Sequence, residues 1–212
     1  GTFRSLFRKI LSLTAFLFVL AVLGSVAVRS TRLVKREESG WTGKYNVLLI
    51  TVDTLRADHL GSYGFSQAET PSMDRLASDG VLFERAETSA PITLPAHVSI
   101  LSGTYPAFHG VRNNGVYRLG PRAVTLAEVL QEHGYKTGAV ISGYPLATRF
   151  GLSQGFESYD DHLPPEKTRQ IGYRERRAEE VSRLGAAWLS SAANQRFFLW
   201  LHYFDPHAPY TP

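Results

Sequence analysis

Four short stretches of this sequence carry side chains able to do chemistry. In "APITLPAHVSILSGTYP" (90–106), Thr93 offers a hydroxyl and His97 stands four residues on, on the same face of any helix formed there. The first turn of a helix presents unpaired N–H groups and a partial positive charge, which favour a phosphate or sulfate and ease ionisation of a hydroxyl. Thr93 is therefore a candidate nucleophile, although the same hydroxyl can serve purely as a helix cap. Asp53 closes the apolar run "YNVLLITVD", where a carboxylate can offer a hard oxygen ligand to a divalent cation, or where Asp53 or Thr54 can cap the following turn. In "LWLHYFDPHAPYTP", His202, Asp205 and His207 supply two imidazoles and a carboxylate that can bind a metal or move a proton. Finally, "HGVRNNG" (109–115) contains Arg112, Asn113 and Asn114, which can hold an anionic ester and equally make an ordinary turn.

The elements around these residues alternate between strand and helix patterns. "YNVLLITVD" (45–53) reads as a strand buried on both faces of a parallel sheet. "TPSMDRLASDG" has Thr70 as cap, Pro71 at the first helical position and Gly80 as stop, and "VLFERA" reads as a further strand. Around Thr93, Pro95 falls in the first turn and Gly103 at the end of a short helix that can bury Val98, Ile100 and Leu101. Thr125 and Glu128 form a capping box for a helix ending at Gly134, and "KTGAVIS" returns as a strand. Residues 174–193 place Val181, Leu184, Trp188 and Leu189 at helical spacing before the apolar strand "RFFLWLHYF". This order predicts an α/β fold with a mostly parallel sheet, in which ligands sit beyond the carboxyl ends of the strands.

The 212 residues carry a net charge of +4 and no cysteine, which excludes disulfides and cysteine nucleophiles. Much of the basic excess flanks one apolar stretch, with Arg4, Arg8 and Lys9 before it and Arg29, Arg32, Lys35 and Arg36 after it, so the charge is not read as a nucleic-acid footprint. Between them, Ile10 to Val28 is uncharged and long enough at ~1.5 Å per residue to cover most of a hydrocarbon core. Residues 1–28 are thus expected to be a basic segment and transmembrane anchor, the competing reading being a signal peptide cleaved after Ala27. Residues 29–44 read as a linker, and 45–212 as the domain.

Taken in order, "NVLLITVDTLRADHLGSYG", "TPSMDRLASDGVLFERAETSAPITLPAHVSILSGTYPAFHGV", "TLAEVLQEHGYKTGAVIS", "FGLSQGFESYDD" and "FFLWLHYFDPHAPYTP" resemble the N-terminal half of a sulfatase, in the alkaline phosphatase superfamily. The resemblance implies a three-layer α/β sandwich with a mostly parallel central sheet, of which this chain is a C-terminally truncated fragment. It implies that Asp53 is a metal ligand, that Thr93 occupies the nucleophile position and that His207 contacts the ester or its leaving group. The remaining ligands would lie beyond residue 212, and the divalent ion would be calcium or magnesium in a sulfatase-type site, zinc or manganese in a phosphoesterase-type site.

This chain departs from the family pattern at two places. Thr54 stands where many sulfatases have a second aspartate. Thr93, Pro95 and His97 stand where the signature has a cysteine or serine, a proline and an arginine. Threonine cannot become formylglycine, so no such aldehyde is expected, and Thr93 would have to attack directly and form a covalent ester. The leading expectation is a membrane-anchored, metal-dependent hydrolase of sulfuric or phosphoric esters outside the cytoplasm, acting on a small-molecule, glycan or lipid ester. The alternatives are a membrane-bound phosphoethanolamine-type transferase with a threonine nucleophile and a non-catalytic sulfatase-like domain.

Overall fold

Alternation in "FFLWLHY" builds the centre of the fold. In the computed structural model, which describes residues 45–164 and 175–208, this segment is a seven-residue strand whose odd and even side chains enter two different apolar clusters. Four strands form the sheet: β1 (Val47–Val52), β2 (Lys136–Val140), β3 (Ser158–Asp160) and β4 (Phe197–Tyr203), in the order β1-β4-β2-β3 with every pair parallel. The helices are α1 (Pro71–Asp79), α2 (Thr93–Ser102), the single turn α3 (Pro106–His109), α4 (Leu126–Glu132) and α5 (Ala178–Ser191). All lie within one unit of the chain, Tyr45–Pro212. The expected anchor at 10–28 and the linker lie outside the described residues, among which no helix is long and apolar enough to cross a membrane.

The sheet carries helices on both faces. Phe198 and Trp200 join Leu94, Val98 and Leu101 of α2 and Leu130 of α4 on one side, while Leu199 and Leu201 meet Val181 of α5 on the other. Full burial of each such aliphatic side chain contributes roughly 1.5–3 kcal/mol, so α2 is held to the sheet by packing. Its buried aliphatic side chains Leu94, Val98 and Leu101 form a single helical stripe; Ile100 falls off that stripe and is 48% exposed, contrary to the expectation from sequence. Gly103 ends the helix in the left-handed region, its N–H donating to the Ser99 carbonyl.

Two strand expectations are corrected. β1 buries Val47 and Leu49 against the α2 side, but Leu48 and Ile50 are 47% and 49% exposed, because α5 packs over β4 and β2 and no described element covers that face of β1. "VLFERA" makes no strand: with no ladder partner among the described residues, it runs as an exposed connection whose Phe83 carbonyl accepts a hydrogen bond from Tyr63.

The capping box forms as read, with Glu128 N–H donating to Thr125 Oγ1 and Thr125 N–H donating to the Glu128 carboxylate. Thr125 Oγ1 also donates to the Gln154 carbonyl at 3.0 Å, bringing the next turn hard against α4. There Gly155 has φ +80°, and a Cβ on it would stand 2.1 Å from Glu128 N. Gly155→Ala combines left-handed strain with a backbone clash and is expected to destabilise the full-length protein by about 3 kcal/mol or more, read by denaturant unfolding.

Candidate active site

Parallel pairing brings the ends of β1 and β4 together. Thr51 and Val52 are in register with His202 and Tyr203, and the Asp53 N–H donates to the Tyr203 carbonyl at 2.8 Å, so Asp53 leaves the sheet just above His202. The chain then turns through Thr54, whose φ of 56° is a left-handed conformation that a β-branched residue adopts only under strain. The first turn of α2 lies over this strand mouth and completes a cleft of about 540 Å³. Asp53, Thr93, His97, Asn114 and His207 all line it; Arg112 and Asn113 are exposed and do not.

Thr93 is the first residue of α2, and Ile92 occupies the cap position without a side-chain bond. The hydroxyl is therefore not spent on capping. Thr93 Oγ1 donates to Asp53 Oδ2 at 3.0 Å across forty positions of sequence. Capping is supplied by Asn114, whose Oδ1 accepts the Leu94 N–H at 2.8 Å. The Ala96 N–H pairs with the Ile92 carbonyl and Pro95 has none, so fewer amides are left for an anion than the bare helix end suggests. Neither Asp53 nor Thr54 caps the turn at Ala57–His59 that follows.

Beneath the two oxygens lie two imidazoles. His97 is buried, with Nδ1 donating to the Thr93 carbonyl at 2.8 Å and Nε2 without a partner. His202 sits inside β4 rather than after it, on the Trp200 face, with Nδ1 3.2 Å from Ser142 Oγ and Nε2 3.7 Å from Asp53 Oδ2. That second distance is outside hydrogen-bond range. The sequence places His202 in one group with His207, yet alternation within "LWLHYF" (199–204), counted from Trp200, is the signal that puts it on the α2 face.

Burial is the largest influence on Asp53 and opposes its ionisation, but His202, His97 and the Thr93 hydroxyl together outweigh it and hold the carboxyl below its ordinary value. Burial lowers both histidines, His97 to about 4. In the unfolded chain His97 takes up a proton near pH 6.5, whereas in the fold it stays neutral until about pH 4. Stability from this group is complete above pH 6.5 and is lost as pH falls through that window, on the order of 3 kcal/mol. Urea unfolding of the full-length protein at about pH 7 and about pH 4.5 should show this loss, reduced in His97→Phe.

Past β4, the His207 ring stacks on Phe204 at 4.3 Å between centroids, and its Nδ1 is 2.6 Å from the Ala208 carbonyl. Asp205 faces away from the cleft and accepts the Ala178 N–H at 2.9 Å, capping α5. The charged Asp53 carboxylate and the Thr93 hydroxyl are oxygen donors close enough to share one hard cation, and the partnerless His202 Nε2 beside them marks a site tuned to charge. Among the described residues no three His, Cys, Asp or Glu side chains converge as a complete ligand set.

The parallel α/β architecture is like that of the alkaline phosphatase-like sulfatases. The chain belongs to the Sulfatase family, whose profile matches residues 45–212. It is 37% identical over 107 residues to steryl-sulfatase from Rattus norvegicus, covering 45% of this chain and 18% of that protein. It is 30% identical over 145 residues to N-acetylgalactosamine-6-O-sulfatase from Bacteroides thetaiotaomicron, covering 66% of this chain and 27% of the relative. In fold it is similar to the phosphonate monoester hydrolase of Agrobacterium radiobacter, with a TM-score of 0.61 at 24% identity over 77% of this chain and 41% of that one. The matches thus span 18% and 27% of the length of these curated relatives. Members of the family typically use a divalent metal.

Proposed function

We propose that the full-length protein is a metal-dependent hydrolase of sulfuric or phosphoric esters in which Thr93 is the nucleophile. The carrying observation is that the Thr93 hydroxyl, freed from capping by Asn114, points into the cleft and donates to Asp53. A divalent cation, when bound, polarises the ester and eases ionisation of the hydroxyl. Asp53 and Thr93 would hold it. Asp53 Oδ2 accepts the hydroxyl proton, α2 fixes the direction of attack, and Asn114 keeps its Nδ2 to donate to an ester oxygen. His207, which also lines the cleft, stabilises or protonates the leaving oxygen. Attack forms a threonine ester that water then clears, since this residue cannot supply the second hydroxyl of an aldehyde hydrate.

Relatives bearing the names of sulfatases favour sulfate, whereas the threonine and the likeness to a phosphonate monoester hydrolase favour phosphorus esters. The basic-flanked apolar run at 10–28 supports anchoring in a membrane, and the domain is proposed to lie outside the cytoplasm. Assay of the purified full-length protein on matched aryl sulfates and aryl phosphates decides the chemistry. Turnover of at least one series is expected, abolished by chelation and restored by a divalent cation. No turnover of either series with metal supplied would overturn the reading.

A further inference from the structure

Asp53 and Thr93 stand on two buried rings whose protons the surroundings dictate. His97 Nδ1 lies 2.8 Å from the Thr93 carbonyl, which can only accept, so Nδ1 carries the hydrogen and the partnerless Nε2 is a bare lone pair. His202 faces the opposite requirement. Ser142 Oγ, 3.2 Å from its Nδ1, can donate or accept and leaves the choice open. Asp53 Oδ2, 3.7 Å from Nε2, closes it: a lone pair there would face a carboxylate oxygen, whereas an N–H is attracted to it. The Ser142 hydroxyl then donates to Nδ1, its carbonyl being occupied by the Arg176 N–H. The rings meet edge to face, 4.9 Å between centroids at 80°, so neither can rotate without displacing the other.

We propose that His202 is a positioning residue that holds the Asp53 carboxylate toward Thr93, with His97 and His202 locked in opposite neutral tautomers. The line runs Ser142, His202, Asp53, Thr93: a hydroxyl braces the imidazole, the imidazole N–H attracts one carboxylate oxygen across 3.7 Å, and that oxygen accepts the Thr93 hydroxyl. The role rests on the reading of Asp53 and Thr93 as the reacting pair. The tautomers do not, so the test has two independent arms.

In the first arm, the metal-free full-length protein is labelled with nitrogen-15 in its histidine rings and resonances are assigned with His97→Phe and His202→Gln. His202 is expected to carry its proton on Nε2 and His97 on Nδ1, whether or not any ester is turned over. A His202 protonated on Nδ1 overturns the proposal. In the second arm, His202→Leu is expected to lower kcat about 10- to 100-fold with KM within about twofold, the range of effect of residues that orient a ligand. His202→Gln places an amide N–H near the former Nε2 and should stay within about fivefold of the parent protein. Equal losses in both variants, or no loss in His202→Leu, overturn the positioning role. Where His202→Leu fails to fold, Ser142→Ala substitutes: mixed His202 tautomers and a kcat reduced about fivefold support the proposal, and an unchanged tautomer with unchanged kcat overturns it.

Discussion

Thr93→Ala is expected to lower kcat of the full-length protein by about a thousandfold or more while leaving its fold intact. The size follows from the role, since a direct nucleophile has no substitute and what survives is binding and electrostatic stabilisation alone. The fold should tolerate the change because the hydroxyl caps nothing: Asn114 holds the Leu94 amide, and α2 is fastened by Leu94, Val98 and Leu101. Thr93→Ser keeps the hydroxyl in reach of Asp53 and should retain kcat within about tenfold. Steady-state kinetics on the ester that the parent protein turns over, with circular dichroism to verify folding, checks both. A Thr93→Ala protein as active as the parent would remove Thr93 from the chemistry.

Asp53→Asn is expected to cost at least about a hundredfold in kcat and to weaken divalent-cation binding in calorimetry. Asparagine matches the shape but loses the negative charge that the neighbouring histidines and hydroxyl sustain against burial. Because the Asp53 carboxyl is held below its ordinary value, the acid limb of the parent pH–rate profile should not begin in the usual aspartate range but below it. Excess cation should recover part of the lost rate if the carboxylate serves as a ligand. No recovery would mean that accepting the Thr93 proton is its whole contribution.

The sequence made the frame legible where local rules dominate. Thr125 and Glu128 announced a capping box that forms, and Gly103 a helix end that forms, because both depend on residues within a few positions of each other. Asp53, Thr93 and His207 were each visible as polar residues beside apolar runs, and a parallel sheet with sites at strand ends is enough to bring them together. What stayed hidden depended on partners distant in sequence. Asn114 looked like turn chemistry and is the cap of a helix twenty positions away. Asp205 looked like a ligand and caps α5. "VLFERA" has strand composition, but composition cannot supply a neighbouring strand, and the apolar run of β1 did not disclose which of its faces would be covered.

The contact between Asp205 and Ala178 carries a consequence for motion. The loop bearing His207 is tied through that carboxylate to the first backbone amide of a fourteen-residue helix. Withdrawing this wall of the cleft to admit or release a ligand would uncover the Ala178 amide, a first-turn N–H with no acceptor inside its own helix. The protection of the Ala178 amide against exchange with solvent is therefore expected to gauge how often this side of the cleft opens.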